Sequence, residues 1–464
     1  MKKIKYLTTI TSLRGLSVLG VLLYHSKYSF FKGGFLGVDV FFVISGFLIG
    51  NIIFSEQFNH KFSFNNFYVK RLRRLIPALV FTILLTYIVS YLIFLPEDFK
   101  VFNYSVSYTL LFVGNIFFWK TNDYFSPSTD IMPLSHLWSL SIEEQFYLLF
   151  PFFIFLLFKV NYFRKNIKII ILIGIVLSFV YSISNFYNLP FDCPTTNCIQ
   201  TTNFYWLHTR AWEILAGVLI NFIQIKSTSF NNRYLLTGFI VIISSFIFVD
   251  STFKHPGFIT LPVIFGTTLI ILSSLNNDTN LLSRSHILYF LGKISYSLYL
   301  IHFPFFVIRN YFGLNLIIFK DFDVLPLLII ILSVIISYFM WKYIETPFRN
   351  YKFIKNKTFL YTSTILIATL FSISILSIAP VKPLNDEYKK FNFSTNFSIK
   401  RDCFFEDIPE VIADVDSCMM PKDDKENVLI LGSSIAKNIY SGLSKATGNS
   451  IHLDLVVVTG CPPL

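Results

Sequence analysis

Arg14 and His25 stand eleven residues apart in one apolar run, LRGLSVLGVLLYH. On an α-helix that spacing is about 16 Å of rise and about 20° of rotation, so both side chains share a face. A cation at one end of that face and an imidazole at the other suit a relay through the run. A snorkelling arginine and a histidine bonded to a neighbouring carbonyl are the bland alternative. Asp39, in GVDVFFVISGFLIG, falls at a depth similar to His25. An Asp that orients a His is a familiar catalytic pairing, and a structural Asp at a helix terminus is the other reading. Arg71 and Arg74 of YVKRLRRLIPA share a helix face just before the next apolar run. Paired guanidinium groups suit phosphate oxygens, such as those of a coenzyme A thioester, and serve equally as a topology anchor. Further on, HLWSLSIEEQFYLLFP places His136, Glu143 and Glu144 at the entrance of a span. HTRAWEILAG sets Arg210 and Glu213 at i,i+3, a pair that partly neutralises itself. SYSLYLIHFP carries His302 before Pro304, and WKYIETPFRN carries Glu345 and Arg349. An ionisable side chain at the centre of a span costs at least ~2.5–3.5 kcal/mol on insertion scales. So many of them imply an internal cavity, for transport or for catalysis.

The elements that must position these residues are membrane helices. Of the 464 residues, 54% are apolar, 18% aromatic and only 14% charged, and mean hydropathy is +0.59. That balance excludes an ordinary soluble globule and a disordered chain. Apolar runs of spanning length recur at roughly 7–26, 34–54, 75–95, 137–158, 168–186, 204–223, 234–250, 258–275, 287–308, 324–344 and 359–379. A twelfth, 101–119, is interrupted by Asn103, Ser105, Ser107, Gly114 and Asn115 and reads as re-entrant or interfacial. Charge selects eleven spans over twelve. With the N-terminus (Lys2, Lys3, Lys5) inside, the basic loops KFSFNNFYVKRLRR, KVNYFRKNIK and FRNYKFIKNK all fall inside as well. A spanning 101–119 would turn the last two outward. The expected fold is therefore an all-α polytopic protein of the cytoplasmic membrane, with residues after 380 outside. The net charge of +12 belongs to those loops and gives no reason to expect nucleic acid as a partner.

All five cysteines, Cys193, Cys198, Cys403, Cys418 and Cys461, fall in segments this topology puts outside, where disulfides persist. Cys193 with Cys198 and Cys403 with Cys418 are the candidate pairs, free thiols being the alternative; neither spacing suits zinc. The first run lacks a small-residue cleavage site and carries Arg14 and His25, so it reads as a retained helix rather than a signal peptide.

Seven ordered blocks, LRGLSVLGVLLYH, GVDVFFVISGFLI, RLRRLIPA, HLWSLSIEEQFYL, RAWEILAG, ISYSLYLIHFP and IETPFR, resemble the type 3 membrane acyltransferase family over roughly residues 7–350. The resemblance implies transfer of an acyl group, commonly acetyl, from cytoplasmic acyl-CoA to a hydroxyl of a cell-envelope polysaccharide, lipopolysaccharide or peptidoglycan. Acyl-CoA is then a substrate and no permanently bound cofactor or metal is expected. The family's Arg-x10-His motif falls on Arg14 and His25, and its Arg-x-x-Arg motif on Arg71 and Arg74. On this reading His25 and Asp39 are catalytic and Arg14, Arg71 and Arg74 bind the donor. Glu143, Arg210, Glu213, His302 and Glu345 complete the polar interior. A transporter would be expected to show internal repeats, and none is found. A membrane half that hands acyl groups to a separate extracytoplasmic protein is the other alternative.

The expected organisation is an acyltransferase domain over 1–350, an additional helix over 351–380, a linker over 381–425 and an α/β segment over 426–464. There NVLILGSSIAKNIYSGL reads as strand, Gly turn and helix, and SIHLDLVVV as a second strand. This is similar to the start of an SGNH-hydrolase-type domain, with Ser433 where the family usually has Asp and Ser434 at the nucleophile position. The Asp-x-x-His block that would supply the base is not found, so the segment reads as truncated or completed by a partner, with unpaired strand edges. A serine without a base is weakly activated. Ser434→Ala is therefore expected to leave glycan acylation equal to that of the full chain, measured by mass spectrometry of envelope glycans. A loss of more than tenfold would show that a partner supplies the missing residues.

Overall fold

The computed structural model describes residues 7–58, 61–121, 132–186, 202–223, 232–250, 252–276, 281–319, 322–350 and 353–376, and in the tail 404–405, 426–432 and 451–458. The chain divides into two compact units, Met1–Ala379 and Pro380–Leu464. The first is a polytopic helical membrane protein. Its principal helices are α1 (Thr8–His25), α2 (Gly37–Gln57), α3 (Phe64–Ile93), α4 (Pro96–Leu110), α5 (Gly114–Lys120) and α6 (Trp138–Lys159). There follow α7 (Ile167–Phe186), α8 (Leu207–Ile220), α9 (Asn232–Phe248), α10 (Leu261–Asn276), α11 (His286–Phe312), α12 (Leu325–Met340) and α13 (Asn356–Leu376). Among the described residues, eight helices are long and apolar enough to cross a membrane. Three of the expected runs form shorter or more polar helices: α1, α8 and α9. The outward stripes of α7 (Leu172, Ile173, Val176, Leu177, Val180) and α12 (Leu327, Leu328, Ile331, Leu332, Ile335) are exposed, as lipid-facing surfaces are.

Two sequence features resolve into geometry. The interrupted run 101–119 forms α4 and α5, broken at Phe112, whose φ is +55°. The fifteen residues of α4 rise only about 22 Å, short of the ~30 Å hydrocarbon core. Gln145 on α6 holds the break, donating to the Phe112 carbonyl at 3.0 Å, while Asn115 donates to the Tyr205 carbonyl at 2.9 Å. The basic run expected to precede the third span lies instead on α3 itself. Ser63 caps that helix, accepting from the Asn66 amide, and Pro77 sits inside it. Arg71, Arg73 and Arg74 are thus held on a helix already under way, and Arg71 and Arg74 share a face.

Glycine sets how closely the functional helices approach. A Cβ on Gly15 would lie 2.0 Å from the Leu288 carbonyl oxygen, and one on Gly292 1.8 Å from that of Thr11. α1 and α11 therefore cross backbone against backbone. The same device joins α2 to α8: a Cβ on Gly46 would lie 1.8 Å from the Ile214 carbonyl oxygen, and one on Gly217 2.0 Å from that of Val43.

The helical unit holds a short antiparallel pair, β1 (Ile317–Phe319) with β2 (Phe322–Asp323), and in the second unit β3 (Phe404–Phe405), β4 (Glu426–Gly432) and β5 (Ile451–Val458) form a parallel sheet in the order β3-β5-β4. Glu426 is opposite Ile451 and Gly432 opposite Val457. β5 is paired on both sides, and Phe404–Phe405, in the segment expected as linker, supplies the second partner. Ser434 and the five cysteines lie outside the described residues.

Because the obstructing atoms at Gly15 and Gly292 are backbone, Gly15→Ala and Gly292→Ala should each lower stability by about 1–3 kcal/mol or more. Gly174→Ala is the control, since its Cβ would meet only the end of the Leu215 side chain, at 3.2 Å. Thermal unfolding of the purified protein in detergent checks this; equal melting of Gly15→Ala and Gly174→Ala would refute the close crossing.

Candidate functional site

Among the described residues, three groups of polar side chains stand out in the helical unit, two of them lining cavities at opposite ends of α1. The cavity near the start of α1 has a volume of about 80 Å³ open to water-sized molecules. Arg14 from α1, Arg71 and Arg74 from α3, and Glu143 and Glu144 from α6 line it together with Tyr299 from α11. Glu143 is held in place, its Oε1 accepting from the Ser45 and Tyr147 hydroxyls. The Arg71 guanidinium lies over the Tyr147 ring, 3.3 Å from its centroid, so the phenol orients both an acid and a base of the cavity wall. Among the described residues, the Arg71 Nε and one Glu144 oxygen are buried without a hydrogen-bond partner. Three guanidinium groups against two carboxylates make a site suited to a polyanion such as a chain of phosphates. Arg73 faces elsewhere: it is 1% exposed, donates to the Phe348 carbonyl at 2.9 Å and to Asn356 Oδ1 at 3.0 Å, and staples α3 to the approach of α13. Glu345, on a π-helical turn after α12, accepts from Ser297 at 3.1 Å and pairs with Arg349 at 3.2 Å.

The second cavity, about 450 Å³, opens at the other end of α1 and is lined by His25, Tyr24, Tyr28, Phe303, Phe306 and Asp250, among others. Here His25 Nδ1 lies 3.2 Å from Nε2 of His302 on α11. His302 Nδ1 in turn lies 2.8 Å from the Tyr299 carbonyl oxygen and 3.1 Å from that of Leu298. Tyr299 belongs to both neighbourhoods. Its ring lines the arginine cavity and stands 5.6 Å from the His302 ring, and its hydroxyl meets Ser139 Oγ at 2.6 Å and the His136 carbonyl at 2.8 Å. Tyr299, which lines the first cavity, and His25, which lines the second, are therefore linked through the His302 ring that contacts both. Arg14 and His25 share a helix and serve different chambers.

Asp39 joins neither. The expected pairing of Asp39 with His25 is corrected: Asp39 Oδ1 accepts from Arg210 Nη1 at 2.8 Å and lies 3.2 Å from His255 Nε2. Arg210 also donates to Glu213 Oε1 at 3.1 Å, and stands over the rings of Trp138 and Phe204 at 5.2 and 5.0 Å. Asp39, Arg210 and Glu213 are fully buried. The physical reason is charge. A fully buried guanidinium draws the nearest carboxylates, and the α2–α8 crossing at Gly46 and Gly217 puts Asp39 within its reach. His255, from the connection between α9 and α10, was not anticipated; its only signal was a histidine before Pro256 between two apolar runs. Tyr147 and Tyr299 were likewise missed, because a tyrosine in an aromatic-rich span carries no spacing signal.

Residues 7–342 match the family described as the acyltransferase domain. The chain belongs to this acyltransferase family. The matched span contains both cavities and the Asp39 cluster, and ends before Glu345. Relatives with curated names agree. The chain is 32% identical over 395 residues, 81% of its length, to O-acetyltransferase OatA of Staphylococcus aureus (strain MRSA252), and equally so to OatA of strain NCTC 8325 / PS 47. It is 29% identical over 375 residues, 75% of its length, to the putative O-acetyltransferase SACOL0978 of strain COL. It spans 63% of the length of OatA and 58% of SACOL0978. No solved structure is similar enough to count as a match.

Within this family member the Asp39 cluster holds helices together. Removing one partner of a buried ion pair strands the other charge and costs about 3–5 kcal/mol. Asp39→Ala should therefore lower the yield of folded protein and its melting temperature, read by size-exclusion chromatography and thermal unfolding. An Asp39→Ala protein that melts like the parent and yet fails to acylate would return Asp39 to the chemistry.

Proposed function

We propose that this protein is an integral membrane O-acyltransferase that carries an acetyl group from cytoplasmic acetyl-CoA to a hydroxyl of a cell-envelope glycan. The observation that carries the reading is the pair of chambers on α1, one lined by three arginines and one by His25, with the Tyr299–His302–His25 contacts linking their walls. The basic loops favour a cytoplasmic arginine cavity and an extracytoplasmic histidine cavity. In this arrangement Arg14, Arg71 and Arg74 hold the donor's phosphates, and the acyl-bearing arm runs along the α1 face towards His25, a rise of about 16 Å. Aromatic rings around His25, with Asp250 and Asn310 at the rim, suit a sugar, offering flat apolar faces and a few polar contacts. The names of the relatives support acetyl as the acyl group and oxygen as the accepting atom.

The reaction balances with these groups alone. The acceptor hydroxyl loses its proton to the His25 imidazole as its oxygen attacks the thioester carbonyl carbon. A C–O bond forms, the C–S bond breaks, and the electron pair leaves on the thiolate sulfur. The His25 proton then passes to solvent, and the thiolate recovers one from the cytoplasmic side.

General-base catalysis contributes about 10²–10⁴-fold, so His25→Ala should insert normally and lose at least a hundredfold in acyl transfer. Near-normal glycan acetylation by that variant would sink the assignment. A lost charge-assisted contact costs about 1.5–3 kcal/mol. Arg71→Gln with Arg74→Gln should therefore raise the apparent donor KM more than tenfold while the protein still inserts. Failed insertion would instead make these arginines a topology anchor.

A further inference from the structure

We propose that His302 is a positioning residue that fixes the tautomer of His25, so that His25 Nε2 is the atom that accepts the proton. The proposal rests on the reading of His25 as general base. It begins from the atoms that have no choice. A backbone carbonyl oxygen only accepts, and His302 Nδ1 faces two of them, Leu298 at 3.1 Å and Tyr299 at 2.8 Å. His302 Nδ1 therefore carries a hydrogen. The side chain is fully buried and, among the described residues, has no carboxylate beside it; the titratable rings around it are His25 and His136, with centroids at 5.2 and 5.4 Å, and Tyr299 at 5.6 Å. A neutral imidazole has one N–H, so His302 Nε2 presents a lone pair. That lone pair is 3.2 Å from His25 Nδ1. Two facing lone pairs would repel, so His25 Nδ1 carries the hydrogen and donates it; the Val21 carbonyl, one turn back on α1, is a second acceptor beside the ring. His25 Nε2 is left bare.

This is the task an orienting carboxylate performs beside a catalytic histidine, done here by a neutral group. The difference matters when His25 is protonated. The imidazolium keeps its Nδ1–H on His302 and gains an Nε2–H. Because His302 Nδ1 is already committed to carbonyls, the proton has no onward path through it and stays on Nε2, beside the acceptor. The α1–α11 crossing at Gly15 and Gly292 holds the two rings at this separation.

Two variants separate the tautomer effect from packing. His302→Phe keeps the ring volume and removes the acceptor; His302→Gln offers an amide oxygen near the position of Nε2. The expected result is a fall in kcat of about tenfold or more for His302→Phe with the donor KM within about twofold, and recovery of most activity in His302→Gln. Equal activities for the two variants, both intact or both impaired, would overturn the proposal. Nitrogen-15 NMR of histidine-labelled protein reads the tautomer directly. The parent should show a protonated Nδ1 and a bare Nε2 at His25, and His302→Phe a mixture. A proton on His25 Nε2 in the parent would also overturn it. If instead His25→Gln remains active while the NMR result holds, the general-base reading fails and the tautomer assignment stands.

Discussion

The structure depends on a place where side chains are missing. At Gly15 and Gly292 two helices touch through their backbones, and a single methyl on either would strike a carbonyl oxygen at 2.0 Å or less. Lipid gives apolar helices no hydrophobic reason to associate, so close van der Waals contact between small residues has to supply it. The consequence runs up the helix. With α1 and α11 pressed together near Gly15, His25 and His302 are brought to hydrogen-bonding distance at the far end, and Arg14 is turned towards α3. The second glycine crossing, α2 on α8, does the same for the buried charges.

Those charges show how one sequence distributes cations by environment. Arg210 is fully buried and neutralised by Asp39 and Glu213, and its planar face is covered by aromatic rings. Arg73 is almost fully buried too, but its partners are backbone carbonyls and an amide, so it acts as a staple. Arg14, Arg71 and Arg74 face a cavity that also holds carboxylates. A guanidinium with hydrogen-bond capacity left over is costly to bury and useful to a ligand. The three fates separate structural arginines from the cavity arginines more sharply than their positions in the chain do.

Much of this was legible in the sequence. The apolar runs marked the helices, because hydrocarbon leaves the backbone little alternative. The eleven-residue spacing put Arg14 and His25 on one face, and the three-residue spacing did so for Arg71 and Arg74, since helical periodicity is local. What escaped was whatever depended on distant partners. Asp39 and His25 share a depth, yet Asp39 turns to Arg210, 171 residues away, and to His255 from a connecting loop. The third apolar run read as starting near 75, whereas the helix began at Phe64 under a Ser63 cap, and it continues through Pro77. The dual membership of Tyr299 has no sequence signature at all, because it arises from where two helices cross.

On the proposed topology the Tyr299–His302–His25 contacts have a further consequence, for the energy stored across the membrane. Imidazoles and phenols in a row are the usual materials of a proton wire, and a wire joining two water-accessible chambers would discharge the proton gradient. A wire needs each member to take a proton at one atom and release it at another. His302 cannot, because its Nδ1 is committed to the carbonyls of Leu298 and Tyr299, which have no proton to pass on. The same two carbonyls that orient the ring also insulate it.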